Sequence, residues 1–157
     1  MSEMILPKRT NIRIKDFDYS LERAYFITIC SNNKAKVFCD QALTSEIIDL
    51  LKSFKNKLKY KVYVYCFMPD HLHLLISPSN SGIPISKFIG GFKSISTKIA
   101  WKHNIKGKLW QIRFYDHILR KNEELMSVGM YILNNPVRKN LTDRWEDYGF
   151  CGIIDNW

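Results

Sequence analysis

The chain has no pair of cysteines at a metal-binding or redox spacing, because its four cysteines stand alone at positions 30, 39, 66 and 151. This argues against a zinc cage or a disulfide framework, and we expect reduced, mostly buried thiols. The sequence also lacks an apolar run of about 18 residues, and the first 19 residues carry charges where a signal peptide has an apolar segment. We therefore expect a cytoplasmic protein that does not act in a membrane.

Acidic residues are scarce, since 15 Asp and Glu face 24 Lys and Arg, for a formal charge of +9 and a pI near 9.4. A basic surface of this kind favours a polyanionic partner, and nucleic acid and an anionic membrane surface both qualify. With 157 residues, 46% of them hydrophobic, the chain is long enough for one folded domain. We expect that domain to span residues 1–157, with a loose arm at 1–20 and a tail at 142–157.

The hydrophobic pattern predicts strand, helix, strand, strand, helix, strand and helix, in that order. This order is typical of an α+β protein with a ferredoxin-like sandwich, in which helices pack on one face of an antiparallel sheet. The predicted strands are a run from Ala24 to Cys30, a hairpin of 61–68 and 71–77 broken by Pro69-Asp70, and a segment within 110–120. The predicted helices run from Thr44 to Leu58, from Ile85 to about Lys102, and from Glu123 to Asn135, where Pro136 ends the last one.

Two histidines open the second strand of the predicted hairpin. His71 and His73 alternate with Leu72, so both imidazoles lie on one face of the sheet while the leucine points into the core. Two imidazoles on one face can chelate one metal ion. A chance pair on the surface is the alternative, although four histidines in 157 residues give only about 0.1 such pairs by chance.

A second candidate site lies on the last predicted helix, where Tyr131 and Asn135 are one turn apart on the same face. A phenol is a weak nucleophile at its ordinary pKa of about 10, but a neighbouring cation can activate it. An asparagine oxygen is a suitable ligand for a hard divalent cation. Without a shared site with the histidines, this tyrosine is more simply a core or rim aromatic.

Basic and aromatic residues interleave between positions 106 and 120. This mixture suits single-stranded nucleic acid, because aromatic rings stack on unpaired bases and cations contact phosphates. A strand with a solvated charged face is the alternative interpretation. The candidate nucleic-acid contacts are Lys93, Lys98, Trp110, Gln111, Arg113, Arg120, Arg138 and Lys139.

Three separated segments together resemble a known family. They are MPDHLHLL at 68–75, LWQIRFYDHILR at 109–120 and YILNNPVRK at 131–139. In this order they resemble the single-tyrosine transposases of the HUH endonuclease superfamily, and above all the REP-associated tyrosine transposases. The resemblance covers about residues 23–141, while Asn140 departs from it and the tail matches poorly.

The resemblance implies a role for each matching residue. His71 and His73 match the pair that holds a divalent metal ion, Mg²⁺ or Mn²⁺, Asn135 matches a third ligand, and Tyr131 matches the nucleophile. The implied activity is cleavage and joining of single-stranded DNA near hairpins through a 5′ phosphotyrosyl intermediate, and a homodimer is one assembly that the resemblance allows. Two other functions stay open, namely a non-catalytic module that binds hairpin or single-stranded nucleic acid, and a metal-dependent hydrolase in which Tyr131 is passive.

Overall fold

The computed structural model describes residues 23–120 and 125–157, so the predicted arm at 1–20 lies outside the described residues. The strands are β1 (Tyr25–Cys30), β2 (Lys61–Met68), β3 (His71–Ser77), β4 (Tyr115–Ile118) and β5 (Cys151–Ile153). The α-helices are α1 (Gln41–Leu58), α2 (Ile85–Lys102), α3 (Leu125–Leu133) and α4 (Asn135–Arg138). Single turns of 3-10 helix lie at Asn32–Lys34, Val37–Cys39 and Trp145–Asp147.

The five strands form one antiparallel sheet in the order β4-β1-β3-β2-β5. The predicted hairpin is confirmed, because β2 and β3 are neighbours joined only by Pro69 and Asp70. Both carbonyl groups of this turn accept hydrogen bonds from elsewhere, that of Pro69 from the Phe38 N–H at 3.1 Å and that of Asp70 from the Ser31 N–H at 2.9 Å. The turn is therefore fixed on both sides immediately before His71.

The sheet is covered on both faces. One face packs against α1 and α2 and carries the leucines of β3 that alternate with the histidines, Leu72 and Leu74. The other face carries Val64, Cys66 and Leu75, and it packs against Val128 and Ile132 of α3. Because alternate residues of a strand share a face, His71 and His73 lie on the α3 face.

The predicted α+β class with an antiparallel sheet is confirmed, and one detail differs. The helices do not all lie on one face, since α3 covers the face opposite α1 and α2. The physical reason is visible in β2, where Val64 and Cys66 face one way and Tyr65 and Phe67 the other, all of them buried. A strand that is apolar on both sides needs a layer of protein on each side.

Helix α1 begins three residues before the predicted start at Thr44. Asp40 caps the helix, because its carboxylate accepts the Leu43 N–H at 3.1 Å, a contact worth about 1 kcal/mol. The Thr44 hydroxyl instead donates to the buried carbonyl of Phe38 at 2.9 Å. The helix ends as predicted at Leu58, followed by Lys59 in the left-handed conformation.

The tail at 142–157 has more structure than its lack of periodicity predicts. It adds β5 to the sheet edge beside β2, and Asp155 accepts the Val62 N–H at 2.8 Å and pairs with Lys55 at 3.1 Å. Trp157 lies against α3, so close that a Cβ placed on Gly129 would be 2.7 Å from its ring. A three-residue strand is too short to produce a period in the sequence.

The four cysteines are unpaired, as expected. The expectation that most are buried is wrong, because Cys66 alone among them is buried and Cys39 is exposed. A hydrogen bond with the neighbouring Cys151 thiol, together with burial, raises the pKa of Cys66. None of the helices within 23–120 and 125–157 is long and apolar enough to cross a membrane.

Candidate active site

The two histidines of β3 converge on one point. Their Nε2 atoms lie 3.1 Å apart, and the rings are nearly perpendicular, at 78°. The other ring nitrogen of each is held by a separate partner: Nδ1 of His71 lies 2.6 Å from the Asp70 carboxylate, and Nδ1 of His73 lies 2.8 Å from the Thr28 hydroxyl oxygen. With each Nδ1 as a donor to its partner, both Nε2 lone pairs face the same point.

This geometry suits two ligands of one metal ion. Two nitrogen ligands at about 2.1 Å from an ion, about 95° apart, are separated by roughly 3.1 Å, which is the spacing of the two Nε2 atoms. The oxygen partners on Nδ1 are the outer contacts that metal-bound histidines ordinarily have. His73 is 2% exposed, whereas His71 is partly open to solvent. A ligand can therefore reach the pair from the His71 side.

No cluster of three or more His, Cys, Asp or Glu side chains within 23–120 and 125–157 could hold a metal ion. The predicted third ligand is of another type, the side-chain amide of Asn135, which is 7% exposed at the start of α4. Helix α4 contacts β2, the strand that pairs with β3. Two imidazoles and an amide oxygen are donors that suit a divalent ion, and their joint coordination of one ion stays a prediction.

Tyr131 lies on the same side of the sheet as the histidines. The ring of Phe26 from β1 contacts both, with its centroid 5.4 Å from that of His73 and 6.3 Å from that of Tyr131. The imidazole and the phenol can be no farther apart than these two distances combined. His73 and Tyr131 are 58 positions apart in the sequence, and the packing of α3 onto the sheet brings them together.

The Tyr131 ring also has a cation against it. The guanidinium carbon of Arg138 lies 3.9 Å from the ring centroid, and Nη2 of Arg138 donates to the Tyr131 carbonyl oxygen at 2.8 Å. The positive charge of Arg138 also lowers the otherwise raised pKa of Cys66, the residue opposite His73 in β2. Arg138 therefore places positive charge directly against the Tyr131 ring.

The helix does not end at Pro136 as predicted. Helix α3 ends at Leu133, and Pro136 lies in the first turn of α4, where a missing N–H costs nothing. The Arg138 N–H donates to the Asn134 carbonyl at 3.0 Å, and the Lys139 N–H donates to that of Asn135 at 3.1 Å. This continued helical path keeps Asn135 one turn after Tyr131, as the spacing predicts.

The last predicted strand is shorter than the segment 110–120. Only Tyr115–Ile118 forms β4, while Trp110 makes a single bridge with Ser31 and Ile112 is 77% exposed. Of the predicted final helix, 125–133 is confirmed and Glu123 lies outside the described residues.

The structure separates the predicted nucleic-acid contacts into two groups. Lys98, Arg113, Arg120, Arg138 and Lys139 are exposed, and their contact with nucleic acid stays a prediction. The second group consists of Lys93, Trp110 and Gln111, which are partly or fully buried.

Trp110 is buried in this fold, and its contact with nucleic acid stays a prediction. Its ring is 3% exposed between Phe38 and Phe92, and its Nε1 donates to the Ser96 hydroxyl at 2.8 Å. Half-buried Gln111 donates its backbone N–H to the Cys30 carbonyl at 2.9 Å. Lys93 donates to the carbonyl oxygens of Gln111 and Ile112, and partial burial lowers its pKa.

Sequence reasoning missed three residues of the site: Thr28, Asp70 and Phe26. Asp70 adjoins His71 in the sequence, so an acid next to a candidate ligand was an available signal. Thr28 and Phe26 are long-range partners, since Thr28 reaches His73 only through the pairing of β1 with β3. A strand pattern alone does not specify which strands are neighbours.

Replacement of Thr28 with valine should weaken divalent metal binding about 10- to 100-fold, because His73 loses the partner that orients its ring. Valine has nearly the same shape but removes the hydroxyl from the buried Nδ1 of His73, so the free energy of unfolding should fall by about 1–3 kcal/mol. Calorimetric titration of Mn²⁺ checks this result. Equal affinity in the variant and the natural protein would show that Thr28 does not position the imidazole.

Comparison with known proteins identifies the family of the chain. The profile of the family described as "Transposase IS200 like" matches residues 20–135. An uncharacterized protein of Haemophilus influenzae is 27% identical over 159 residues, covering 82% of this chain and 88% of that protein. A second Haemophilus influenzae protein, named as a proposed REP-associated tyrosine transposase, is 24% identical over 153 residues, covering 89% of this chain and 80% of its own length.

Two solved structures share the fold. A REP-associated tyrosine transposase bound to a REP hairpin superimposes with a TM-score of 0.68 at 18% identity, over 89% of this chain and 81% of the other. A proposed transposase of Deinococcus radiodurans gives a TM-score of 0.54 at 18% identity, over 78% of this chain and 96% of the other. The resemblance seen in the sequence motifs is thus confirmed, and the chain belongs to the IS200-like transposase family.

Proposed function

We propose that this chain nicks and rejoins single-stranded DNA beside hairpins, with Tyr131 as the nucleophile and a divalent metal ion at the histidine pair. One observation carries the proposal. The converging Nε2 atoms of His71 and His73 lie on the same face of the sheet as the ring of Tyr131, and the rings of His73 and Tyr131 both contact Phe26. A cation and a nucleophile on opposite sides of a phosphate are what in-line displacement requires.

In the proposed reaction, the Tyr131 hydroxyl oxygen attacks the scissile phosphorus as the phenol gives up its proton. The bond from phosphorus to the 3′ oxygen breaks, which leaves a 3′ hydroxyl on one strand and a 5′ phosphotyrosine on the other. Arg138, against the Tyr131 ring, supplies positive charge for the phosphate oxygens. Mg²⁺ or Mn²⁺ held by His71, His73 and Asn135 would supply Lewis-acid stabilisation of the departing 3′ oxygen.

The phosphotyrosyl ester conserves the energy of the broken phosphodiester bond. A 3′ hydroxyl from another DNA end can therefore displace Tyr131 and join two strands without ATP. The fold neighbour that is bound to a REP hairpin supports hairpin DNA as the substrate class. The net charge of +9 supplies attraction that is independent of DNA sequence.

The proposal is tested by trapping the covalent intermediate. The natural protein is incubated with Mn²⁺ and a set of 3′-labelled hairpin oligonucleotides that have single-stranded flanks, and the products are separated under denaturing conditions. We expect a labelled adduct that depends on metal and that peptide mass spectrometry maps to Tyr131. Hairpin binding with no adduct across the set would favour the non-catalytic module, and an adduct on another residue would contradict the assignment of the nucleophile.

A further inference from the structure

A groove of about 540 Å³ lies on the other side of the sheet from the histidines, between α2 and the segment 107–112. Its walls are mainly apolar. The lining residues are Gly90, Lys93, Ser94, Thr97, Trp101, Gly107, Lys108, Leu109, Trp110, Gln111 and Ile112.

The groove is held open by contacts between its two walls. From α2, Lys93 donates to the Gln111 and Ile112 carbonyl oxygens, at 2.5 and 2.9 Å. Nε1 of Trp101 donates to the Gly107 carbonyl at 2.8 Å. These bonds anchor the segment at both ends, so the groove exists before any ligand enters it.

Two large apolar side chains of the groove are open to solvent. Trp101 is 54% exposed and Ile112 is 77% exposed. The bond from Trp101 to Gly107 restrains its indole. A flat ring displayed at the edge of an apolar groove is suited to stacking against another flat ring.

The segment of the chain that forms the groove is basic. From position 71 to 115 there is no Asp or Glu, while the segment carries Lys87, Lys93, Lys98, Lys102, Lys106, Lys108 and Arg113. The acid that reaches this region from α1 is Glu46, which pairs with His103 at 2.6 Å beyond the end of α2. An exposed indole in a segment that carries cations and no acids complements a base with its flanking phosphates.

We infer that this groove binds one unpaired nucleobase of a single DNA strand, stacked on Trp101, with Lys98 and Lys108 on the neighbouring phosphates. The inference rests on the proposed function, because it takes DNA as the substrate. Backbone hydrogen bonds connect the groove wall with the Pro69-Asp70 turn that precedes His71. The Gln111 N–H donates to the Cys30 carbonyl, and the N–H of the next residue, Ser31, donates to the Asp70 carbonyl. The groove would thus hold the strand at a fixed position relative to His71.

Two variants test the groove from opposite directions. Trp101→Ala removes the stacking surface, and Gly90→Leu fills the groove. A Cβ on Gly90 meets nothing within 4 Å, and leucine is a better helix former than glycine, so Gly90→Leu should fold. Leu141→Ala is the matched control, because it removes another exposed apolar side chain, one outside the groove.

Affinity is measured by fluorescence anisotropy with a labelled single strand in EDTA, so that no cleavage occurs. We expect Trp101→Ala and Gly90→Leu to weaken binding about 5- to 150-fold and Leu141→Ala to leave it unchanged. A scan of single abasic sites should find one position that weakens binding to the natural protein but not to Trp101→Ala. Natural affinity in both groove variants, or an equal loss on fully paired duplex, would overturn the inference.

Self-association would also overturn it. If the natural protein is a dimer that Gly90→Leu converts to a monomer with unchanged DNA affinity, the groove is occupied by a second copy. The adduct assay separates this inference from the proposed function. If an adduct forms at Tyr131 but no abasic position weakens binding, base binding in the groove is refuted and the proposed function is not. If one abasic position weakens binding but no adduct forms, base binding in the groove is supported and the catalytic proposal is refuted.

Discussion

Replacement of Tyr131 with phenylalanine should abolish the covalent adduct and reduce cleavage of hairpin DNA by roughly 10⁴- to 10⁶-fold, the scale of loss when a covalent nucleophile is removed. The variant loses one oxygen atom and keeps the ring that packs against Phe26 and Arg138. Stability and hairpin affinity should therefore remain close to those of the natural protein. Single-turnover cleavage of a labelled hairpin gives the rate, and a denaturing gel reports the adduct.

Tyr63→Phe is the matched control, since Tyr63 lies near the opposite end of β2 from the residues that pair with His71. It should cleave and form the adduct at the natural rate. Cleavage that survives in Tyr131→Phe without protein attached to the DNA would contradict the account. That result would favour a hydrolase in which the histidines activate water and Tyr131 is passive.

Replacement of His73 with alanine should reduce metal-dependent cleavage by about 10³-fold, because the site loses a ligand and with it several kcal/mol of charge stabilisation. His73 is buried, so the variant also leaves a small cavity and loses the contact with Thr28. His71→Ala is the second variant, since His71 is partly exposed and its removal disturbs the core less. Both should bind hairpin DNA nearly as well as the natural protein, because phosphate contacts dominate affinity.

His103→Ala controls for the loss of an imidazole. His103 lies after α2 and pairs with Glu46, outside the candidate active site, so its removal should leave cleavage unchanged. Circular dichroism and thermal unfolding verify that each variant is folded. Full activity in a folded His71→Ala protein would show that this histidine is not a ligand of the catalytic metal.

The local geometry of the site was predictable from the sequence. Alternation in β3 places His71 and His73 on one face, and helical spacing places Tyr131 one turn before Asn135, whatever the rest of the fold. The contacts between these groups were not predictable, because Phe26 and Thr28 reach them only through the pairing of β1 with β3. Strand neighbours depend on the packing of the whole chain.

Trp110 shows what the composition of a basic and aromatic segment leaves open. The segment has the composition of a nucleic-acid surface, yet one of its rings fills the core and another residue, Ile112, is the exposed apolar group. Composition indicates what a segment can bind but not which side chain faces outward. The helices were predicted on one face of the sheet, and α3 covers the other; the apolar residues on both faces of β2 were the signal for this second layer.

The central claim is that the histidine pair and Tyr131 engage one DNA phosphate. The most direct measurement is a crystal structure of Tyr131→Phe bound to uncleaved hairpin DNA and Mn²⁺, with the ion located by anomalous scattering. The account predicts an anomalous peak within about 2.3 Å of both Nε2 atoms, and the scissile phosphate between that peak and the ring of residue 131 from the same or a second copy. A peak away from the histidines, or a phosphate that no residue-131 ring can approach, would contradict it.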